Sequence, residues 1–154
     1  MAELPQVLHR YQQAFSQGSI ESIKRCYASD VIYFDPLYGY LHGDQVGYMW
    51  ASKFAEFATY TISTGELADQ GDGYYNMKYD IAYTSRSQMS IKMAVQCFFK
   101  IDDERIVEQS EAFSVHELLR QERGLIGHLM GWNRMMQQSR KNKARRMLLN
   151  FMST

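Results

Sequence analysis

Apolar side chains near the amino terminus recur every three or four positions, which is the spacing of one face of an α-helix. The stripe consists of Leu4, Val7, Leu8, Tyr11 and Phe15. Gly18 follows it, and glycine commonly ends a helix because it adopts the left-handed conformation without strain. Ser19 can cap a second, shorter helix that carries Ile20 and Ile23 on its inner face. The pattern therefore predicts two consecutive helices.

Apolar and polar side chains then alternate from Val31 to Asp35, which predicts a short strand. Val31, Tyr33 and Asp35 share one face of that strand because side chains alternate with period two. Pro36 ends the strand, since proline has no N–H to donate to a neighbour. A carboxylate beside two bulky neighbours is poorly solvated, and such a carboxylate can act as a general base. Asp35 is therefore either a catalytic base or a side chain that caps the turn before the proline.

Four longer stretches alternate in the same way and predict strands at 57–68, 74–86, 89–101 and 106–115. The Asp-containing stretches at 69–73 and 102–105 predict turns between them. Strands that follow one another through short turns form an antiparallel meander. A helix that begins after Asp44 and carries Met49, Trp50 and Phe54 precedes the first of them.

The end of the chain returns to helical spacing. Residues 116–123 predict a short helix, and Gly124, Gly127 and Gly131 interrupt the stretch after it. A long amphipathic helix then carries Trp132, Met135, Met136, Ala144, Met147, Leu148 and Phe151 on one face. Helices, a short strand, a helix and a meander together predict an α+β fold, in which helices cover a strongly bent sheet. Such a fold leaves a cavity between its two layers, where we expect a hydrophobic pocket.

A length of 154 residues predicts one domain, and the chain has no apolar run long enough to span a membrane. The amino terminus lacks a basic segment followed by an apolar one, so we expect no secretory signal and a cytoplasmic location. Cys26 and Cys97 fall in different elements without metal-type spacing, and we expect both to be reduced core residues. No His or carboxylate cluster predicts a metal site.

The net charge of zero hides a strong asymmetry. No acidic residue follows Glu122, whereas seven basic ones do: Arg123, Arg134, Arg140, Lys141, Lys143, Arg145 and Arg146. The rest of the chain holds 10 basic against 17 acidic residues, a balance of −7. This polarity indicates that the tail contacts an anionic partner or a membrane surface. A nucleic acid is less favoured, because only Trp132 places an aromatic side chain among these basic residues.

Several short motifs in the first half resemble one known superfamily. They are Arg10-Tyr11 through Gly18-Ser19-Ile20, then Tyr27-Ala28-Ser29-Asp30, Phe34-Asp35-Pro36 and His42-Gly43. The chain resembles the nuclear transport factor 2-like superfamily, which includes ketosteroid isomerases, SnoaL-like polyketide cyclases and limonene-epoxide hydrolases. The resemblance implies a cone-shaped NTF2-like fold, with N-terminal helices packed on a curved, mostly antiparallel sheet. It places a SnoaL-like domain at 1–120, and 121–154 form a basic helical extension of the same structural unit.

The isomerase pattern, carried over by position, puts the general base on Asp35 and the oxyanion-stabilising tyrosine on Tyr11. Tyr27 takes the supporting tyrosine position, and Trp50 replaces another tyrosine. The second oxyanion donor, a protonated carboxylic acid in the isomerases, falls on Gln96, which is a weaker donor. If Gln96 and Phe113 face the cavity as the resemblance implies, Glu111 does too. The expected ligand-binding residues are Tyr27, Trp50, Gln96, Phe98, Glu111 and Phe113.

Three functions remain open at this point. The first is a cofactor-independent isomerase or cyclase that acts on a small apolar carbonyl compound. The second is a non-catalytic ligand-binding or protein-interaction module, in which Tyr11 is a core tyrosine and Gln96 and Glu111 line a dimer face. The third is epoxide hydrolysis, which needs two aspartates bridged by an arginine; Asp80 and Arg86 share a predicted strand face, but form no triad with Asp35. We also expect a homodimer formed through the sheet.

Overall fold

A computed structural model describes residues 3–130 and 134–153. The helices are α1 (Gln6–Gln17), α2 (Ile20–Lys24), α3 (Gln45–Ala55), α4 (Val115–Met130) and α5 (Arg134–Met152). The strands are β1 (Tyr27–Asp35), β2 (Gly39–His42), β3 (Phe57–Thr64), β4 (Ala68–Gly71), β5 (Tyr74–Ser85), β6 (Ser90–Asp102) and β7 (Arg105–Ala112). None of the helices in these ranges is long and apolar enough to cross a lipid bilayer.

The strands form one curved sheet in the order β2-β1-β7-β6-β5-β3, with β4 paired to β5. Strands β3, β5, β6 and β7 make the predicted antiparallel meander, and β1 joins it in parallel beside β7. Register shifts interrupt four of the pairings, including the step from Lys100 to Ile101 between β6 and β7. Such irregularities bend a sheet. The fold is therefore the predicted α+β cone with a helical extension at its carboxyl end.

The core lies between the inner face of this sheet and the helices. Helix α1 buries Val7, Leu8, Tyr11, Ala14 and Phe15 against the strands, as its apolar stripe predicts. Gly18 ends α1 with φ 66°, and its N–H donates to the carbonyl oxygen of Phe15 at 3.1 Å. Cys26 and Cys97 are both buried and not joined to each other.

Two short strands were not predicted from the sequence. Strand β2 pairs with β1 because Gly39, with φ 72°, lets the chain reverse directly after Pro36. Strand β4 occupies part of the turn predicted at 69–73. Both are only four residues long, which is too short for alternation to distinguish them from loops.

The carboxyl end also differs from the prediction. Helix α4 runs on to Met130, through Gly124 and Gly127, although glycine weakens a helix by about 1 kcal/mol relative to alanine. The division proposed at residue 120 therefore falls inside a helix. Helix α5 buries Ala144 and Leu148 as predicted, but Met135, assigned to the same face, is 81% exposed. The predictions for Gly131 and Trp132 lie outside the described residues.

Candidate functional site

The Asp35 carboxylate is fully buried at the end of β1 and accepts four hydrogen bonds. Its Oδ1 accepts from the backbone N–H groups of Leu37 and Tyr38 at 2.8 and 2.6 Å. Its Oδ2 accepts from the Tyr33 hydroxyl at 2.7 Å and from Lys53 Nζ at 2.8 Å. One oxygen therefore caps the turn after Pro36, which is the second of the two roles predicted for Asp35.

These contacts decide the protonation of Asp35. Burial by itself raises the pKa of the carboxyl group, but the Lys53 ammonium and the hydrogen bonds from Tyr38 and Tyr33 outweigh it and hold the pKa below its usual range. Asp35 is therefore ionised at neutral pH. A carboxylate with a low pKa and four donors already bound accepts a proton from a substrate poorly.

Lys53 stands at the centre of the site. Val46, Met49 and Trp50 are buried on α3, and Lys53 occupies the next position of the same helical stripe. Its Nζ lies 4.9 Å from the Trp50 ring centroid, 5.3 Å from that of Tyr38, and 5.8 Å from those of Tyr33 and Phe113.

The charge on Lys53 is permanent at neutral pH. Burial lowers the pKa of the ammonium, but Asp35 and Glu111 raise it by more, and the net shift is upward. The surrounding aromatic rings add favourable cation–π contacts. The site therefore contains a fixed positive charge beside its two carboxyl groups.

Glu111 is the second buried carboxyl group, projecting inward from β7 with 2% of its surface exposed. Its Oε1 accepts from the Tyr79 hydroxyl at 2.8 Å and the Tyr33 hydroxyl at 3.3 Å, and lies 3.8 Å from Lys53 Nζ. Burial raises the pKa of Glu111 most, and the nearby Asp35 carboxylate raises it further. Lys53 and the two tyrosine hydroxyls lower this pKa by less, so the net shift is upward. Glu111 therefore exchanges a proton closer to neutral pH than an ordinary glutamate does.

A second hydrogen-bond network lies behind Glu111. The Gln109 amide accepts from the Tyr27 hydroxyl at 2.7 Å and donates to the Tyr11 hydroxyl at 3.0 Å. The Trp50 indole N–H donates to the Tyr27 hydroxyl at 2.8 Å. Gln109 Nε2 lies 3.5 Å from Glu111 Oε2 and so connects this network to the site. The network fixes the rings that support Glu111 from behind.

A cavity of about 90 Å³ with an open mouth lies in front of Lys53 and Glu111. The inner sheet face, α3, α4 and α5 all contribute to its wall. Most of the wall is apolar or aromatic: Phe15, Leu37, Trp50, Phe54, Phe57, Ile81, Tyr83, Met93, Val95, Phe113, Leu118 and Met147. Such a concave apolar surface with a few convergent polar groups is typical of a small-molecule site.

The structure brings together only part of the predicted site. Trp50, Glu111 and Phe113 border the cavity. Asp35 lies behind Lys53, and Tyr11 and Tyr27 lie in the Gln109 network; none of the three borders the cavity. The expectation that Asp35 and Tyr11 open into one chamber is therefore not met, because Lys53, Tyr33 and Gln109 fill the space between them.

Gln96 and Phe98 lie on the opposite face of the sheet. Gln96 pairs with Ala112, whereas Cys97 pairs with Glu111, so Gln96 and Glu111 point to different sides. Phe98 is 45% exposed, and the Gln96 amide donates to the carbonyl oxygen of Met77 at 3.4 Å. The prediction that Gln96 and Phe98 line the cavity is therefore wrong.

Sequence reasoning missed several of the site's polar residues. Lys53 carried a usable signal, because a lysine at the buried position of an amphipathic helix needs an anionic partner. Tyr33 shares its strand face with Asp35, but the Glu111 carboxyl group that both Tyr33 and Tyr79 contact comes from another strand, β7. Gln109 shares a face of β7 with Glu111, and no pattern marked it as functional.

Neither Asp80 nor Arg86 borders the cavity, so the pair considered for epoxide hydrolysis is not part of this site. Both side chains are exposed, and Arg86 Nε donates to the carbonyl oxygen of Ala55. In the described parts of the chain, no three His, Cys, Asp or Glu side chains are placed to hold a metal ion.

Comparisons with known proteins agree with this architecture. A family model described as a SnoaL-like domain matches residues 8–109. No curated protein matches the sequence significantly. A structure from Catenulispora acidiphila, a hypothetical protein of ketosteroid isomerase-like fold in complex with trimethylamine, superposes with TM-score 0.67 at 13% identity, covering 77% of this chain and 93% of that one.

Two further solved structures have the same fold. An epoxide hydrolase from M. tuberculosis described as LEH-like gives TM-score 0.63 at 13% identity, covering 82% of this chain and 95% of that one. An NTF2-like protein of unknown function from Burkholderia pseudomallei gives TM-score 0.67 at 17% identity, covering 75% and 94%. At these identities the similarity establishes the fold and no particular activity.

Proposed function

The chain belongs to the SnoaL-like domain family, and on that premise we propose that it binds a small, mostly apolar carbonyl compound and moves a proton on it. Glu111 takes and returns the proton, and Lys53 stabilises the negative charge that develops on the carbonyl oxygen. One observation carries this proposal: a fully buried carboxyl group with a raised pKa stands beside an ammonium group at the wall of an aromatic-lined cavity.

The reaction begins when the Glu111 carboxylate removes a proton from the carbon next to the carbonyl group. The electron pair of that C–H bond moves toward the carbonyl oxygen and forms an enolate. The Lys53 ammonium, which borders the cavity, donates a hydrogen bond to this oxygen. Return of the proton to another carbon gives an isomer. Attack of the enolate carbon on a second carbonyl of the same molecule instead forms a ring, and the resulting alkoxide takes the proton back from Glu111. Neither outcome requires a cofactor.

Asp35 supports this chemistry as a positioning residue. It holds Lys53 Nζ at 2.8 Å, and the turn at Leu37 and Tyr38 fixes its own orientation. The hypothesis that Asp35 is itself the base remains testable, but its lowered pKa and four bound donors favour Glu111. Tyr11 and Tyr27 hold Gln109 against Glu111 in the same supporting manner.

Epoxide hydrolysis is the second candidate. Lys53 bridges two carboxyl groups, at 2.8 Å from Asp35 and 3.8 Å from Glu111, which parallels the two acids bridged by a cation that this chemistry needs. A neighbour of the same fold is described as an epoxide hydrolase. However, Asp35 does not border the cavity and both of its oxygens are bound, so only Glu111 can reach a water molecule there. Proton transfer on a carbonyl compound therefore has more support.

Exchange of α-protons in deuterated buffer tests the proposal without knowledge of the natural substrate. The protein is incubated with a panel of aromatic ketones such as 2-tetralone, and NMR follows the loss of the α-proton signals. We expect exchange above the buffer rate, and Glu111→Gln lowers the enzymatic rate by about 10²- to 10⁴-fold. Phe98→Ala, on the outer sheet face, serves as the control and leaves the rate unchanged.

The other outcomes discriminate between the alternatives. If Asp35→Asn abolishes exchange while Glu111→Gln retains it, the base is Asp35. If wild-type protein binds the ketones without accelerating exchange, the chain is a ligand-binding module. If it accelerates no exchange but opens styrene oxide to the diol in a reaction that depends on Glu111, the protein is an epoxide hydrolase.

A further inference from the structure

Helix α5 supplies part of the cavity wall, although it lies outside the residues that match the family model. Ala144 and Leu148 are buried and anchor this helix to the rest of the molecule. Arg140 precedes Ala144 by four residues and therefore lies on the same helix face, and both Arg140 and Met147 border the cavity. The extension thus brings a cation to a cavity whose lysine and carboxyl groups come from earlier elements of the chain.

The Arg140 guanidinium has donors to spare. Its side chain is 13% exposed, and its Nε donates to Glu122 Oε1 at 2.8 Å. Among residues 3–123 and 134–153, this is the only hydrogen bond that the guanidinium makes, and none of its nitrogens is buried there without a partner. A guanidinium carries five N–H donors. The nitrogens that carry the remaining donors are not fully buried, and Arg140 borders the cavity.

Arg140 and Lys53 act on the same part of the cavity. The pKa of Tyr83, a cavity residue, is raised to about 12 because burial and the carboxylates of Glu122 and Glu56 outweigh the opposing charges of Arg140 and Lys53. The Tyr38 hydroxyl also lies within the electrostatic reach of both cations. A ligand that places its carbonyl oxygen at Lys53 therefore extends along these rings toward Arg140.

Building on the proposed function, we propose that Arg140 binds an anionic group, a carboxylate or sulfonate, at the far end of the ligand. The natural substrate is then an aromatic or polycyclic carbonyl compound with an acidic substituent. A planar guanidinium forms two parallel hydrogen bonds with such a group. Glu122 forms an ion pair with Arg140, and the ligand's anion competes with Glu122 for the guanidinium.

Two dyes with one carbon skeleton test this assignment. 8-Anilinonaphthalene-1-sulfonate carries a sulfonate, and N-phenyl-1-naphthylamine lacks it; both gain fluorescence in apolar cavities. Arg140→Gln weakens binding of the sulfonate dye by about tenfold, and leaves the neutral dye within about twofold. Glu122→Gln has the opposite effect and strengthens sulfonate binding, because it removes the competing carboxylate. Arg145→Gln removes one positive charge from an exposed position on the same helix and is the matched control.

Each alternative result overturns the assignment. If Arg140→Gln weakens the binding of both dyes equally, Arg140 only supports the cavity. If Arg145→Gln weakens sulfonate binding as much as Arg140→Gln does, the helix attracts anions without a defined site. If Arg140→Gln does not fold, two other variants test the assignment. Tighter binding of the sulfonate dye by Glu122→Gln supports it, and so does a retained preference of Arg140→Lys for the sulfonate dye over the neutral one. If neither dye binds, or both bind as well after Met93→Trp fills the cavity, the proposed function fails along with the assignment.

Discussion

At the scale of single residues, Lys53 gives two similar acids different properties. Asp35 is the closer partner and is held ionised, whereas Glu111 lies a further ångström away and keeps a raised pKa. Two carboxyl groups whose environments separate their pKa values can take different roles at one pH. Asp35 anchors the lysine, and Glu111 is left to exchange protons.

Removal of the ammonium group tests this division. Lys53→Met leaves two buried carboxyl groups without their positive partner, and we expect a loss of about 3–5 kcal/mol in the free energy of unfolding at neutral pH. The loss shrinks toward acidic pH, because protonation removes the uncompensated negative charges. Denaturant unfolding at several pH values measures it. An equal loss at pH 4 and pH 7 would show that the methionine disturbs packing and that the charge is unimportant.

The sequence predicted the burial of Asp35 because strand alternation places it beside Val31 and Tyr33. It did not predict the partner, because alternation within one strand carries no information about which helix residue faces it. Lys53 follows Val46, Met49 and Trp50 at helical spacing, so its inward direction could have been inferred. The distances from Lys53 to Asp35 and to Glu111 could not have been inferred, since they depend on how α3 crosses the sheet.

At the scale of elements, the pairing of β6 with β7 decides which side chains reach the cavity. Cys97 opposes Glu111, and a shift of one residue would exchange the inner and outer faces of the strand. The sequence predicted both strands and their alternation correctly. The family resemblance assigned Gln96 to the inner face, and the register of the strands overturned that assignment.

Two glutamine substitutions on neighbouring strands measure the difference between these faces. Gln109→Leu removes the partner of the Tyr11 and Tyr27 hydroxyls in the buried network, and we expect a loss of about 2–3 kcal/mol in unfolding free energy. Gln96→Leu on the outer face serves as the control and changes stability by less than about 0.5 kcal/mol. Chemical denaturation provides both values. Similar losses in the two variants would contradict the assigned register.

At the scale of the whole molecule, the outer face of the sheet is unusually apolar. Five large side chains there are between 37% and 65% exposed: Ile32, Phe34, Tyr40, Tyr74 and Phe98. They lie on β1, β2, β5 and β6 and border one shallow depression together with Lys100 and Ser110. Contiguous exposed apolar surface of this kind marks an interaction site.

This face supports the prediction of a homodimer formed through the sheet. We expect the protein to elute as a dimer in size-exclusion chromatography with light scattering, and Phe98→Glu to shift it to a monomer because a charge cannot be buried there without a partner. Lys143→Glu changes charge at an exposed site on α5 and leaves the dimer intact. A monomeric wild-type protein at micromolar concentration would contradict the prediction.

The basic residues of the extension fall into two groups that the sequence could not separate. Arg140 turns toward the cavity, whereas Arg134, Lys143, Arg145 and Arg146 are exposed. The charge asymmetry predicted an anionic partner or membrane surface for the whole cluster, and for the exposed residues that prediction stands.

The order of helices and strands was enough to predict the cone. The length of α4 was not predicted, because its glycines indicated an interruption that the folded chain does not make.

The proposed chemistry requires that Glu111 carry the exchangeable proton, and the titration of Glu111 itself tests this requirement. The side-chain carboxyl carbon of Glu111 is followed by ¹³C NMR across pH, with Glu111→Gln to assign the signal and Asp35→Asn to assign that of Asp35. We predict a Glu111 midpoint above its ordinary value of 4.5 and an Asp35 midpoint below its ordinary value of 3.8. A Glu111 midpoint at or below 4.5, with Asp35 titrating above it, would contradict the proposal and return the role of base to Asp35.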